Sequence, residues 1–318
     1  MTTLSVVIPV YCEQESLPYL RERLAPVLRS LEGKGYAWEL ILVDDGSTDA
    51  TPAMLRSMAL EDRRLKVIRF ARNFGSHAAL KTGFDFASGD CAVNLASDLQ
   101  EPPELILPMI DIWRDERYPV VAAVRKQIVG SPVNRFFSGA FYRLVNLVTS
   151  LRLPHSGADM LLIDRSVLAE LANMHERNTD VIGQIYWMGY PMKAVPYDRQ
   201  ERVHGSSGFT FTKKVKLFID FILCFSYLPV RIYSAIGIIA AVMGAVYGLW
   251  LLTESAFGAG APGWSRVSAL MLLIGGIIIL GQGILGEYLW RVLDEARARP
   301  SRLILETHNI ERPNTIRS

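Results

Sequence analysis

The sequence predicts an α/β protein: a mostly parallel sheet with helices on both faces, followed by two membrane-crossing helices. Three observations carry this. Short apolar runs alternate with helix-length stretches through residues 4–124. Polar clusters follow three of those runs directly. Two long uncharged stretches lie in the C-terminal half. Buried parallel strands read as continuous apolar runs, and helices between them cover both faces of the sheet.

The elements follow in order. Leu4 to Pro9 is a β-rich run, and Glu13 to Leu31 reads as a helix. Glu39 to Val43 is a second buried strand that ends at Asp44-Asp45-Gly46. Thr48 or Asp49 is placed to cap the next helix, with Pro52 in its first turn. Leu65 to Phe70 reads as a strand, His77 to Ala87 as a helix and Cys91 to Leu95 as a strand. Pro103 to Arg114 is a helix, and Val120 to Val124 a fifth strand.

In such sheets ligands bind beyond the carboxyl ends of the strands. Those ends carry Tyr11-Cys12-Glu13, Asp44-Asp45-Gly46 and Ser97-Asp98-Leu99-Gln100. Continued extended geometry would aim Asn94, Ala96, Asp98 and Gln100 to one side. That pattern fits a metal site one ligand short. It fits equally a strand end and turn in which Asp98 caps the helix after Pro102-Pro103.

The chain has 318 residues, 50% of them apolar, and a net charge of +2. No global basic field points to nucleic acid. Cys12, Cys91 and Cys224 are widely spaced, which predicts a reducing compartment with no disulfide framework. The N-terminal apolar run lacks a basic lead and is read as a first strand rather than a signal peptide.

From Ile232 to Leu252 no residue is charged, and Val267 to Leu285 is a second such run. Each is about the span of a bilayer core. Lys213, Lys214, Lys216 and Arg231 precede the first, and Arg291, Arg297, Arg299 and Arg302 follow the second. The positive-inside rule then puts both ends in the cytoplasm of a multi-pass inner (cytoplasmic) membrane protein. Phe211, Val215, Phe218, Ile222 and Phe225 recur at helical spacing, with Lys213 and Lys216 on another stripe. This suits a helix at the membrane surface, or one packed on the preceding domain. Ala240, Gly244 and Gly248 form a small-residue face, and Gly281, Gly283 and Gly286 surround Gln282. These predict an antiparallel hairpin of the two spans and homo-oligomers through them. The expected parse is a domain over 1–210, a juxtamembrane helix over 211–228, two spans within 229–293 (about 232–252 and 267–287) and a cytoplasmic tail over 294–318.

Five stretches together resemble the membrane-bound family 2 glycosyltransferases that load one sugar onto a polyprenyl phosphate. They are Val6-Val7-Ile8-Pro9-Val10-Tyr11-Cys12-Glu13, Val43-Asp44-Asp45-Gly46-Ser47-Thr48-Asp49, Arg72-Asn73-Phe74-Gly75, Asp98-Leu99-Gln100-Glu101-Pro102-Pro103, and Asp159 to Arg165. The group includes bactoprenol glucosyltransferases, dolichol-phosphate mannose synthase and the undecaprenyl-phosphate aminoarabinose transferase. The resemblance implies a GT-A fold, a Rossmann-like sheet that holds a nucleotide sugar.

It also implies site residues. Pro9, Tyr11, Glu13, Asp44, Asp45, Arg72, Ser97 and Asp98 would bind the nucleotide sugar, with a UDP-sugar favoured. Asp98 and Gln100 would hold Mg²⁺ or Mn²⁺. Asp98, Asp159 and Arg202 would serve catalysis. Arg125, Arg199, Arg202, Lys213 and Lys214 would hold the lipid phosphate. His77 is a further residue placed to approach phosphate or sugar, or simply to start a helix. Two departures stand out: Ala96 replaces the usual first Asp of Asp-x-Asp, and Gly208 replaces the usual Lys of a later motif. The expected reaction is metal-dependent, inverting transfer of one sugar to undecaprenyl phosphate for cell-envelope glycan modification. The alternatives are a processive polysaccharide synthase, which usually has a Gln-x-x-Arg-Trp motif and more spans, and a catalytically impaired nucleotide-binding scaffold.

Overall fold

The computed structural model describes residues 1–126, 154, 158–174, 180–200, nine positions between 232 and 246, 264–297, 300 and 302–310. Arg202, the juxtamembrane stretch with Lys213 and Lys214, and the small residues 240, 244 and 248 lie outside the described residues.

Among the described residues, one eight-stranded sheet organises the unit formed by Met1–Lys214 and Pro300–Ser318. Its strands are β1 (Thr3–Val10), β2 (Ala37–Asp44), β3 (Leu65–Phe70), β4 (Cys91–Asn94), β5 (Val120–Arg125), β6 (Ala158–Asp164), β7 (Met192–Tyr197) and β8 (Ile304–His308). The order across the sheet is β7-β5-β6-β4-β1-β2-β3-β8. The pairs β1–β2, β1–β4, β2–β3 and β5–β7 are parallel; β4–β6, β5–β6 and β3–β8 are antiparallel. Only β6 and β8 therefore run against the rest. The carboxyl ends of the other six share one edge with the amino end of β6.

The helices are α1 (Leu17–Gly33), α2 (Thr51–Glu61), α3 (Ser76–Asp85), α4 (Ile106–Glu116, after a short turn at Pro103–Leu105), α5 (Arg165–Ala172), α6 (Val181–Trp187) and α7 (Trp264–Ala296). Leu4, Val6, Val7 and Ile8 of β1 are all fully buried, as a strand covered on both faces requires. Each such side chain contributes about 1.5–3 kcal/mol. Leu20, Leu24 and Leu31 of α1 pack one face of this core. Gly83 of α3 lies so close to Val7 that a side chain there would collide, which brings α3 hard against the other.

Three expectations shift. The fourth strand stops at Asn94, and Leu99 takes a left-handed conformation (φ 56°), so the alternation through Gln100 is broken. Asp49 does cap the start of α2, but from one residue before the assigned N-cap position. Ala50 holds that position without a side-chain cap, while Asp49 accepts from the Thr51 amide at 3.0 Å just outside it. The stretch after the second apolar run, read as a tail, contains β8. There Ala71 N–H donates to the Leu303 carbonyl, and the Asn309 amide donates to the Ala59 and Leu65 carbonyls.

The second unit spans Val215–Arg299. Its described residues between 232 and 246 are helical, and α7 covers 33 residues. The Tyr233 ring fills the space that a side chain would occupy at Gly281. Among the described residues no helix is long and apolar enough to cross a membrane.

Candidate active site

Three loops meet at the carboxyl edge of the sheet. Backbone and side chain knit the first two. Cys12 N–H donates to Ser47 Oγ at 2.9 Å, Glu13 N–H to Thr51 Oγ1 at 2.9 Å and Gln14 N–H to Asp49 Oδ2 at 3.3 Å. Cys12 is left-handed (φ 55°), a conformation that Asn tolerates better than most residues. The Ser97 hydroxyl lies 3.1 Å from Glu13 Oε1, which adds the β4 loop to the same wall. Tyr11 is exposed beside it, and Pro9 is half-buried.

The two aspartates after β2 are structural anchors. Asp45 is 3% exposed, and its two oxygens accept from Phe74 N–H at 2.6 Å and Gly75 N–H at 2.9 Å. Burial pushes its carboxyl up, against the pull of those two bonds. Asp44 is fully buried, accepts from Ser47 N–H at 2.8 Å and faces Arg69 Nε at 3.3 Å. Gly46 has φ 75° and presses on the Arg72–Asn73 backbone, leaving no room for a side chain. The Asp-Asp-Gly and Arg-Asn-Phe-Gly stretches thus form one packed unit. The resemblance implies direct hydrogen bonding of base or ribose by the second carboxylate, and here both Asp45 oxygens accept from loop amides.

Arg72 stacks over the Phe74 ring at 4.1 Å and donates to the Asn73 carbonyl. His77 faces Asp180, the N-cap of α6, at 3.1 Å. These two therefore brace the loop and two helices.

The other half of the edge gathers opposite charges. Arg125 ends β5 and donates to Asp159 Oδ2, near the start of β6. Asn94, the last residue of β4, fixes β6 there: its Nδ2 donates to the Asp159 carbonyl at 2.6 Å, and Leu161 N–H donates to its Oδ1 at 2.8 Å. Arg199, just past β7, donates to Gln100 Oε1. Gln200 N–H donates to the Gln100 carbonyl at 3.0 Å. The side-chain oxygen expected to bind metal here also orients a guanidinium.

Three further groups complete the cluster. Asp98 is half-buried, and one of its oxygens accepts from Gln100 N–H at 3.2 Å. Glu101 is 3% exposed; burial raises its carboxyl, and the Asp98 charge adds to that. Tyr197 is buried at the end of β7, and burial raises its hydroxyl too. Burial lowers Arg199, as does its like-charged neighbour Arg125. The buried Nε of both arginines has no hydrogen-bond partner among the described residues. Buried donors of this kind call for an acceptor. Phosphate oxygens suit guanidinium forks.

Among the described residues no three acidic, His or Cys side chains form a metal cluster. Asp98 is a half-buried carboxylate at this edge. That fits an Mg²⁺-type ion, which needs one or two carboxylates and takes its other oxygens from phosphates and water.

Residues 5–172 match Glycosyl transferase family 2. The chain belongs to that family. The glycosyltransferase has a GT-A-like fold. Near-full-length relatives agree. The SfII prophage-derived bactoprenol glucosyl transferase of Shigella flexneri is 32% identical over 96% of this chain and 98% of its own. The undecaprenyl-phosphate 4-deoxy-4-formamido-L-arabinose transferase of Proteus mirabilis (strain HI4320) is 33% identical over 98% and 95%. YkcC of Bacillus subtilis (strain 168), an uncharacterized glycosyltransferase, is 37% identical over 96% and 94%.

Sequence reasoning did not single out Glu101, Tyr197 or Arg69 of this glycosyltransferase. Glu101 stands inside a quoted motif, so its place beside Asp98 was open to reading. Tyr197 and Arg69 join the site only through strand pairing. A cavity of about 240 Å³ lies elsewhere, lined by Leu20, Leu24, Trp38 and Met58. It touches none of the strand-end residues, so the site is assigned on chemistry.

Proposed function

We propose that this enzyme transfers one sugar from a nucleoside diphosphate sugar, UDP-linked by preference, to undecaprenyl phosphate at the cytoplasmic face of the inner membrane. One observation carries the reading. Arg125 and Arg199 lie close to each other and to Glu101, each oriented by one acceptor and each with a buried N–H that has no partner among the described residues. Such a pair suits phosphate. The Shigella and Proteus relatives, whose names give bactoprenol and undecaprenyl phosphate, favour a lipid phosphate as acceptor.

The loops after β1 and β2, with Ser97, form the nucleoside wall. Asp98 would hold Mg²⁺ or Mn²⁺ against the diphosphate. When bound, that cation neutralises charge on the leaving nucleoside diphosphate. Arg125 holds the acceptor phosphate, and Asp159 sets the plane of its fork. The acceptor needs no general base, since its second pKa is about 6 and it is largely ionised at neutral pH. A phosphate oxygen displaces the nucleoside diphosphate at the anomeric carbon: the new C–O bond forms as the old one breaks, with inversion. Asp159 is paired with Arg125 and serves orientation rather than proton transfer.

Membrane attachment through the two uncharged stretches belongs to the same proposal, as does self-association through them. It is supported by the exposure of the apolar side chains Met271, Ile279 and Leu289 along α7. The direct experiment is a product assay of purified full-length protein with radiolabelled UDP- and GDP-sugars and undecaprenyl phosphate. A chloroform-soluble, single-sugar product supports the proposal. A polymer would indicate a processive synthase, and nucleotide binding with no turnover a scaffold.

A further inference from the structure

Strand pairing sets three charged residues side by side on the carboxyl half of the sheet. Asp44 of β2 lies opposite Arg69 of β3, and Arg69 lies opposite Glu306 of β8. Residues directly opposed across neighbouring strands project to the same face. The result is an acid–base–acid row.

The side chains follow that register. Arg69 Nε is 3.3 Å from Asp44 Oδ2, Nη1 is 3.7 Å from Glu306 Oε1, and Nη2 donates to the Ser47 carbonyl at 3.5 Å. Arg56 of α2 anchors Glu306 from the other side with two bonds, at 3.0 and 3.2 Å. His308 Nε2 lies 3.9 Å from the same carboxylate. The Arg56 hydrogen bond holds the Glu306 carboxyl below the usual range, so it is charged at neutral pH.

The row leads into the nucleoside wall. Asp44 is fully buried and accepts from Ser47 N–H at 2.8 Å; Ser47 Oγ in turn accepts from Cys12 N–H at 2.9 Å. A contact path thus runs from β8 through Arg69 and the Asp44–Ser47 turn to the loop after β1. We propose that Glu306 is a positioning residue for the nucleotide sugar, acting through Arg69 on the Asp44–Ser47 turn. This rests on the donor site proposed above. Glu306 touches no substrate itself. It supplies the second negative charge that keeps the Arg69 guanidinium spread between two strands and a loop carbonyl. Without it, Arg69 keeps the buried Asp44 and the Ser47 carbonyl but loses its second carboxylate, and the turn is held less firmly. A segment that follows both uncharged stretches in sequence would thereby set affinity at the opposite end of the chain.

The test is nucleotide binding by the purified full chain, titrated with UDP and with GDP in the presence of Mn²⁺. Glu306→Gln keeps the backbone pairing of β8 and removes only the charge. The expected result is roughly 3- to 10-fold weaker binding of whichever nucleotide the wild type prefers, the scale of coupling carried through packed networks. KM for the nucleotide sugar rises in parallel, while kcat and the melting temperature hold. In an Arg69→Gln background the same substitution is expected to have no further effect, because the cycle isolates the pair. If Glu306→Gln does not fold, Glu306→Asp keeps the charge but shortens the reach to Arg69, and the same weakening is expected. Wild-type affinity in the folded variant, or equal losses with and without Arg69, would overturn the inference and leave the donor site standing. A wild type that binds neither UDP nor GDP would overturn both.

Discussion

Arg125 and Asp159 are joined by a hydrogen bond across the β5–β6 pair, at the edge where six strands end. The pair is partly buried, so the guanidinium is held in one orientation. Arg125→Ala is expected to lower kcat/KM for the lipid phosphate by about a hundredfold, within the 2–5 kcal/mol typical of truncating a buried charge pair. Arg125→Lys recovers little of this, because a lysine offers no planar fork. Initial rates with acceptor and donor varied in turn will show the loss on the acceptor side.

Asp98 is the carboxylate we propose to hold a divalent ion. Asp98→Ala is expected to abolish transfer, and Mn²⁺ is then expected to leave UDP affinity unchanged. Ala96→Asp restores a second carboxylate two residues earlier and is expected to lower the metal concentration needed for half-maximal rate. Metal titrations of the three proteins decide this. Unchanged metal demand in Ala96→Asp would mean that position 96 faces away from the ion.

Much of this was readable in advance, and the limits have physical causes. Apolar runs such as Val6-Val7-Ile8 declare buried strands by themselves, and the polar residues just beyond them mark the ligand edge. Side-chain partners were less legible. Asp45 reads as a free acid at a turn, yet two backbone amides thirty residues away in sequence occupy it. Gln100 reads as a ligand beside Asp98, yet Arg199 takes its oxygen. β8 was missed because Ile304-Leu305-Glu306-Thr307-His308 is short, half-polar and an edge strand, whose pattern is weak. Its role appears only once Arg69 is seen between Asp44 and Glu306.

Asp45→Ala removes acceptors from two buried amides, Phe74 and Gly75. The cost is expected to be about 3–6 kcal/mol of stability, the range for two hydrogen bonds to a charged group. Asp45→Asn keeps one acceptor and is expected to lose less. Denaturant midpoints of the purified variants check the order. Donor affinity is expected to fall in the same order, since the loop loses its anchor.

Glu39 lies at the other end of the sheet, bonded to Ser5 at 2.6 Å, to Ser88 N–H at 2.7 Å and to Lys66. Burial alone would raise its carboxyl, but the bonds from Lys66, Ser5 and Ser88 outweigh it and the net shift is downward. A lowered folded pKa stabilises above the unfolded value of about 4.3 and is lost as pH falls through the folded value. Glu39→Gln is therefore expected to cost about 1–3 kcal/mol near neutral pH. The gap to wild type is expected to close on acidification below about pH 4. Melting curves across that range test the sign; a gap that widens in acid contradicts it.

The central claim is that the Arg125–Arg199 cluster joins a nucleotide sugar to a lipid phosphate. The most direct measurement is transfer of radiolabel from UDP- and GDP-sugars to undecaprenyl phosphate by the purified full chain with Mn²⁺. One organic-soluble product carrying a single sugar is expected, strongly reduced in Arg125→Ala and absent in Asp98→Ala. Label transferred to water alone, a growing polymer, or lipid product undiminished in both variants would contradict it.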